Sequence, residues 1–253
     1  MMMPYLIEQH EDGLLQFTIN RPEVRNAINY EVMEGLREAV NLAGRKEVKA
    51  LMITGAGRQA FCSGGDLGLF HSLKTEEEAF GMLSGMAAIM KDLLFLPKPT
   101  VAFLNGAAVG GGCELASACD FRIAASGTKA GFIQGKLAIT TGWGGGSILM
   151  EKLLPAHALK MLAEATVYEC SELLELGFIH RLSEKDALES CRDFLSKILQ
   201  LDVNVLESYK KLQIEKWQNS HILERIDDEV RRCAVLWEKD EHHAQVDKFL
   251  NRS

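Results

Sequence analysis

Glu114 stands in the run Asn105-Gly106-Ala107-Ala108-Val109-Gly110-Gly111-Gly112-Cys113-Glu114-Leu115-Ala116. The run follows a strand-like stretch, turns on glycine and enters a helix that is apolar nearly all round. A carboxylate in the first turn of a buried helix is costly unless it is paired or does chemistry. On spacing alone two readings stand level: a proton-transfer group, or an N3-type residue that caps its own helix. The glycines around it matter as much. The chain has 22 Gly and only 5 Pro, and many of the glycines cluster: 55 and 57; 64, 65 and 68; 106 and 110–112; 142 and 144–146, the last interrupted by Trp143. Glycine lets the backbone approach a ligand closely. At the start of a helix its free N–H groups can hold an anion or a developing oxyanion; the plainer alternative is tight turns and packing.

Other chemistries are tested by spacing and fail. No GxxxxGK[ST] occurs, which excludes a Walker-type phosphate loop. Gly55-Ala56-Gly57-Arg58-Gln59-Ala60 matches GxGxxA after a strand. A dinucleotide site would need a helix at once and an acidic residue about 20 residues on, whereas the loop runs on into Phe61-Cys62-Ser63-Gly64-Gly65. The six cysteines (62, 113, 119, 170, 191, 233) form no CxxC pair, and the seven histidines show no zinc spacing. No metal is expected, and the cysteines read as reduced, mostly buried residues of a cytoplasmic protein. His242 and His243 read as exposed. The net charge of −7 argues against nucleic-acid and anionic-membrane partners. No apolar stretch approaches the ~20 residues of a membrane helix. The N-terminus shows no basic region followed by an apolar one, so no secretory signal is expected.

The elements that must position these residues alternate. Residues 14–20, 49–54, 100–104 and 121–124 read as strands. Helices are expected at 30–43, with Asn29 as N-cap and Val32, Met33, Leu36, Val40 and Leu42 on an apolar stripe, and at 76–95. Strand–helix–strand alternation indicates an α/β fold with parallel pairing. Beyond about residue 182 the strands stop, and 185–200, 203–218 and 221–237 read as helices. Ile222, Ile226, Val230, Cys233 and Trp237 share one stripe of the last. The division expected is a core over residues 1–195 and a helical segment over 196–253.

Taken together, five segments resemble the crotonase (enoyl-CoA hydratase/isomerase) superfamily over nearly the whole chain. They are Asn20-Arg21-Pro22 with Asn26-Ala27-Ile28-Asn29; Ala60 through Leu67; Asn105 through Ala116 with Cys119-Asp120-Phe121-Arg122; Ala163-Glu164-Ala165 with Leu176-Gly177-Phe178-Ile179; and Trp237 through Glu241 with Phe249-Leu250. The resemblance implies a spiral of ββα repeats and a helical C-terminal part that builds trimers, often paired as hexamers. It implies an acyl-CoA substrate, with CoA as part of the substrate and no separate cofactor, and a lyase or isomerase of fatty acid metabolism. By position in the motifs, the N–H groups of Gly65 and Gly111 would bind the thioester oxygen as an enolate forms, with Glu114 as the proton-transfer group. Arg25, Ala27, Ala60, Cys62 and Gly64 would hold the CoA arm, Arg25 being the local cation for a CoA phosphate. Asp66, Leu67, Val109 and Gly110 would complete the binding region, Asp66 by structuring its loop.

Hydratases of this superfamily place two glutamates around one water, and the second is missing here. Its segment corresponds to KAGFIQGKLAITTGWGGGS, residues 129–147. Matching from the start puts Lys136 at the second glutamate; matching from the glycine cluster puts Gln134 there. An amide orients water but does not exchange protons at neutral pH, and a lysine would need a strongly lowered pKa. The Trp-Gly-Gly pattern around Trp143 resembles the ethylmalonyl-CoA decarboxylase-like branch, and Trp143 reads either as a wall of the acyl pocket or as core. Hydration, isomerisation and decarboxylation of an acyl-CoA therefore all stay open, as does a homologue that binds acyl-CoA without catalysis.

Overall fold

A computed structural model describes residues 3–250, the side chain of Leu250 excepted. The chain's fully apolar runs form parallel strands buried on both faces, as sheets covered on both sides require. Strands β1 (Tyr5–Gln9), β2 (Leu14–Ile19), β3 (Ala50–Gly55), β5 (Thr100–Leu104), β7 (Phe121–Ala125) and β10 (Arg181–Ser183) make a six-stranded sheet in that order. The first pair is antiparallel and every other pair parallel. Short strands β4 (Ala60–Cys62), β6 (Ala107–Val109), β8 (Lys129–Gly131) and β9 (Tyr168–Glu169) form a second sheet. Three successive repeats thus give one strand to each sheet: β3 with β4, β5 with β6, β7 with β8. This is the expected α/β spiral of ββα turns.

The helices are set by local signals. Helix α1 (Tyr30–Ala43) begins where the Asn29 side chain accepts the Val32 N–H at 2.9 Å. Between α1 and the long α3 lies a short helix, α2 (Leu67–Phe70). Helix α3 (Glu76–Leu94) begins with a capping box between Thr75 and Glu78. Helix α4 (Gly111–Ala118) is buried at all eight positions, and α5 (Gly145–Lys152), α6 (Pro155–Glu164) and α7 (Cys170–Glu175) follow. Side chains alternate across the large sheet. Leu15, Leu51, Ile53, Ala102 and Leu104 face the main core with α1, α3 and α4, while Leu14, Met52, Val101, Phe103 and Ile123 face α8 (Ala187–Leu199). Helix α8 runs through residues 195 and 196, and Gln200–Asp202 separates it from α9 (Val203–Asn219). Helix α10 (Ile222–Trp237) puts Ile222, Ile226, Val230, Cys233 and Trp237 into the main core.

Two loop devices hold the repeats in register. The GxGxxA turn between β3 and β4 is gripped by side-chain amides. Asn105 accepts the Gly55 N–H at 2.9 Å and donates to Gly57 O and Ala60 O, and Asn26 donates to Ala56 O and Ala60 O. Gly55 there serves packing, since a Cβ would stand 2.5 Å from Asn26 Nδ2 and Phe61 O, and Gly57 serves the turn, with a φ of 78°. The far end of α4 is closed by cations. Lys152 donates to Ala118 O and Cys119 O at 2.9 and 2.8 Å, Arg122 donates to Cys119 O at 2.8 Å, and Lys210 pairs with Asp120. Positive charge there complements the negative end of the helix dipole.

The last helix, α11 (Asp240–Leu250), was not legible as an element, and it corrects the reading of His242 as exposed. It folds back onto the single turn Gln134–Leu137. There His242 is buried, with its Nδ1 2.7 Å from Leu137 O and its ring 4.6 Å from that of Trp237. The side chain of Leu250, which closes the last of the five resembling segments, and residues 251–253 lie outside the described residues, as do Met1 and Met2.

Candidate active site

Helix α4 is preceded by its N-cap Gly110, whose φ of 57° puts it in the left-handed region that glycine tolerates. A side chain at Gly112 would meet Cys62 O at 2.0 Å, so glycine there lets α4 lie directly on β4. This contact brings the loop after β4 beside the start of α4. A Cβ on Gly64 would stand 3.1 Å from the Gly111 nitrogen. Trp143 then closes over both sides of the junction: a Cβ on Gly111 would be 2.3 Å, and one on Gly65 3.6 Å, from its indole ring. Among the described residues, neither Gly65 N–H nor Gly111 N–H donates to a protein acceptor.

The Glu114 carboxylate resolves the question its spacing raised. Among the described residues it takes no N–H of its own helix. Instead it caps the next one: Oε2 accepts from Trp143 N and Gly145 N at 2.8 and 2.9 Å, and Oε1 accepts more loosely from Gly142 N at 3.3 Å. Oε1 also accepts from Gln134 Nε2 at 2.9 Å. Glu229, from α10, takes the next two N–H groups of α5, Gly146 and Ser147, at 3.0 and 2.7 Å. Two buried carboxylates thus share one helix N-terminus. Burial and then the charge of Glu229 push Glu114 up to about 7, against the pull of the three backbone N–H groups. A carboxyl poised there exchanges protons at neutral pH.

A cavity of about 110 Å³ opens onto this carboxylate. Of the residues singled out from sequence, Gly64, Gly65, Leu67, Gly110, Gly111, Glu114, Gln134 and Trp143 line it. Glu114 is the only carboxylate in its lining among the described residues. The two matches for the missing glutamate separate here. Gln134 is buried and bonded to Glu114, whereas Lys136 is exposed on the outside of the same turn and lies outside the lining.

Arg25, Ala27, Ala60, Cys62, Asp66 and Val109 also lie outside the cavity lining. Ala60 and Val109 are strand residues of the small sheet. Ala27 O receives Arg21 Nη1 at 2.7 Å, and Arg21 pairs with Asp66 at 2.8 Å, which ties Asp66 into its loop. The Cys62 thiol accepts the Gly64 N–H at 3.3 Å, and burial pushes it up to about 12. Arg25 is exposed, and its carbonyl accepts the N–H of Ser63, a lining residue, at 3.1 Å. It thus stands at the rim. The far wall holds Phe70, Met82, Leu83, Ile139, Cys233, Trp237 and Phe249; sequence reasoning missed the first four and Glu229, whereas Trp237 and Phe249 stand in the C-terminal segment that carries the resemblance. The stripe of α10 carried part of that signal, because Cys233 and Trp237 belong to it.

The chain is similar in sequence and fold to known proteins. The model of the family described as Enoyl-CoA hydratase/isomerase matches residues 9–252. The chain belongs to that family, within the crotonase superfamily. The chain is 35% identical to the crotonyl-CoA hydratase of Syntrophomonas wolfei over 185 residues, 72% of this chain and 70% of that one. It is 31% identical to the ethylmalonyl-CoA decarboxylase of Mus musculus over 232 residues, 90% of this chain and 71% of that one. The crystal structure of an enoyl-CoA hydratase/isomerase from Xanthobacter autotrophicus superposes with a TM-score of 0.89 at 22% identity, covering 98% and 93% of the two chains, and supports the fold. This member of the enoyl-CoA hydratase/isomerase family is accordingly an acyl-CoA enzyme. No helix among its described residues is long and apolar enough to cross a membrane.

Proposed function

We propose that this enoyl-CoA hydratase/isomerase family member decarboxylates a short 2-carboxyacyl-CoA of the methylmalonyl or ethylmalonyl type. The observation that carries this reading is the single carboxylate in the cavity among the described residues, with the amide of Gln134 bonded to it. Hydration needs one group to take a proton from water and another to give one to Cα. Decarboxylation needs one proton donor. The thioester oxygen lies against the N–H groups of Gly65 and Gly111, and Gly111 opens α4, whose dipole adds to them. The bond from Cα to the carboxylate breaks, carbon dioxide leaves, and the electron pair moves into the thioester as an enolate. Protonated Glu114 then gives its proton to Cα and is recharged from solvent, so each turnover consumes one proton. Proton transfer and carbon–carbon cleavage move no electrons to an acceptor, so CoA enters only as part of the substrate.

An apolar cavity of ~150 Å³ admits benzene, so about 110 Å³ suits an acyl group of a few carbons. Arg25 at the rim is the cation for a CoA phosphate. Trimers, alone or paired, fit the exposed apolar residues Leu154, Leu159, Tyr209 and Leu212. A cytoplasmic place in fatty acid metabolism fits a short acyl-CoA.

Hydration of a short enoyl-CoA is the second reading, favoured by the similarity to the crotonyl-CoA hydratase. Incubation with crotonyl-, 3-butenoyl-, methylmalonyl- and ethylmalonyl-CoA, followed by mass spectrometry, tests both. Loss of carbon dioxide from the malonyl-type substrates is expected. Addition of water to crotonyl-CoA with no decarboxylation overturns the first reading, and a spectral change without change of mass identifies isomerisation.

A further inference from the structure

Gln134 is held between two environments that ask different things of it. Its Nε2 donates to Glu114 Oε1 at 2.9 Å. Its Oε1 is buried, and among the described residues it has no partner. The side chain lines the cavity. A buried acceptor left unpaired costs about 1–3 kcal/mol, so a ligand must complete it or the amide must turn. A substrate carboxylate cannot complete it, because a carboxylate only accepts.

Turning the amide half a revolution exchanges two groups of nearly equal shape about a broad, twofold torsion. Nε2 then faces the cavity and can donate to a substrate carboxylate. Oε1 then faces Glu114, and it can accept only if Glu114 carries a proton. The oxygen that would carry it is Oε1, which has the looser backbone bond, 3.3 Å against 2.8 and 2.9 Å at Oε2. Every polar group is satisfied in this state.

We propose that Gln134 reads the substrate carboxylate, its amide turning with the protonation of Glu114 so that a carboxylated acyl group is accepted only when the proton it will need is already in place. This deepens the decarboxylase reading and rests on it. The groups facing Glu114 leave it to Gln134 to sense the proton. Its own helix presents the Cys113 thiol, the start of α5 presents backbone N–H groups, and α10 presents Glu229 and the Cys233 thiol. No lysine, arginine or histidine lines the cavity among the described residues. An ionised Glu114 would therefore meet a substrate carboxylate with no cation between them. Glu114 pushed up to about 7 makes the protonated state accessible at neutral pH.

The test is competitive binding of ethylmalonyl-CoA and butyryl-CoA, which differ by the carboxylate alone, from about pH 6 to about pH 8.5, alongside carbon dioxide release. In the wild type, affinity for ethylmalonyl-CoA should fall about tenfold per pH unit above about 7, while butyryl-CoA stays flat. In Gln134→Leu, ethylmalonyl-CoA should weaken at least tenfold and butyryl-CoA by less than twofold, with the loss in KM exceeding that in kcat. Equal change for both ligands in a variant that unfolds in urea as the wild type does, or a wild-type preference that does not vary with pH, overturns the proposal. Should Gln134→Leu lose butyryl-CoA as well through a collapsed pocket, the wild-type pH series decides alone. A wild type that binds ethylmalonyl-CoA with this pH dependence yet releases no carbon dioxide refutes the decarboxylase reading and leaves the role of Gln134 standing. Carbon dioxide release without the pH dependence does the reverse.

Discussion

Glu229→Gln is the sharpest perturbation of the acid at the centre of the site. Glu229 lies outside the catalytic cavity and reaches Glu114 through the helix terminus they share, bonding N–H groups of the consecutive residues 145 and 146. Its charge disfavours the ionised form of Glu114, so removing it lowers the Glu114 pKa. Two carboxylates this close interact by about 1–2 kcal/mol at an effective dielectric of ~20, which corresponds to about one pKa unit at ~1.36 kcal/mol each. Protonated Glu114 is the donor and the form that accepts substrate, so kcat/KM is full below the pKa of the free enzyme and declines above it. The declining limb of kcat/KM, near pH 7 in the wild type, should therefore move about one unit toward acid in Glu229→Gln. Glu229 also satisfies two backbone N–H groups, and the amide leaves one of them facing a donor, at a cost of about 1–3 kcal/mol in stability. The assay is kcat/KM against pH for carbon dioxide release, with urea unfolding as the control for stability. A destabilised variant whose declining limb stays at the wild-type pH would refute the electrostatic coupling and leave Glu229 a cap alone.

Three further outcomes follow from the same geometry. Glu114 is ordinary near 4.5 when unfolded and about 7 when folded, so the native state binds more protons between these values and stability falls as pH rises through them. The fall is about 3 kcal/mol at ~1.36 kcal/mol per unit, and Glu114→Gln should flatten it in urea unfolding while abolishing turnover. Gly111→Ala sets a methyl 2.3 Å from the Trp143 ring. It should lower Tm and cost about 100-fold in kcat by displacing an oxyanion donor, and the double variant with Trp143→Ala should be destabilised by less than the sum of the two. Gln134→Glu should supply the second carboxylate and raise crotonyl-CoA hydration at least about tenfold; no gain with the fold intact would place the water elsewhere.

Strands β2, β3, β5 and β7 of the large sheet were legible because each is a largely apolar run, and α1 because Asn29 and one stripe mark it; β1 and β10, at the two edges of that sheet and partly exposed, were not. The small sheet was not, because strands of two or three residues show no period; it is built from close backbone contacts such as Gly112 on Cys62 O. Helix α11 was missed because its stripe is thin and its anchor, His242 on Leu137, joins residues 105 positions apart. At the site, Glu114 stood out as a carboxylate in an apolar helix, but the helix it caps could not be inferred from spacing. The choice between Gln134 and Lys136 needed the turn at 134–137, which points one inward and the other out. Glu229 looked like any acid on an amphipathic helix.

Glu114 and the groups that govern its acidity belong to different pieces of chain. The carboxylate is mounted on a helix anchored at its far end by Lys152 and Arg122, while the amide, three N–H groups and the indole around it all arrive from residues 134–145. That stretch behaves as a cassette. Exchanging its dozen residues for those of a relative would reset the acid and reshape the pocket while leaving the mounted carboxylate in place, which makes it the smallest transplant with which to interconvert reactions on this scaffold.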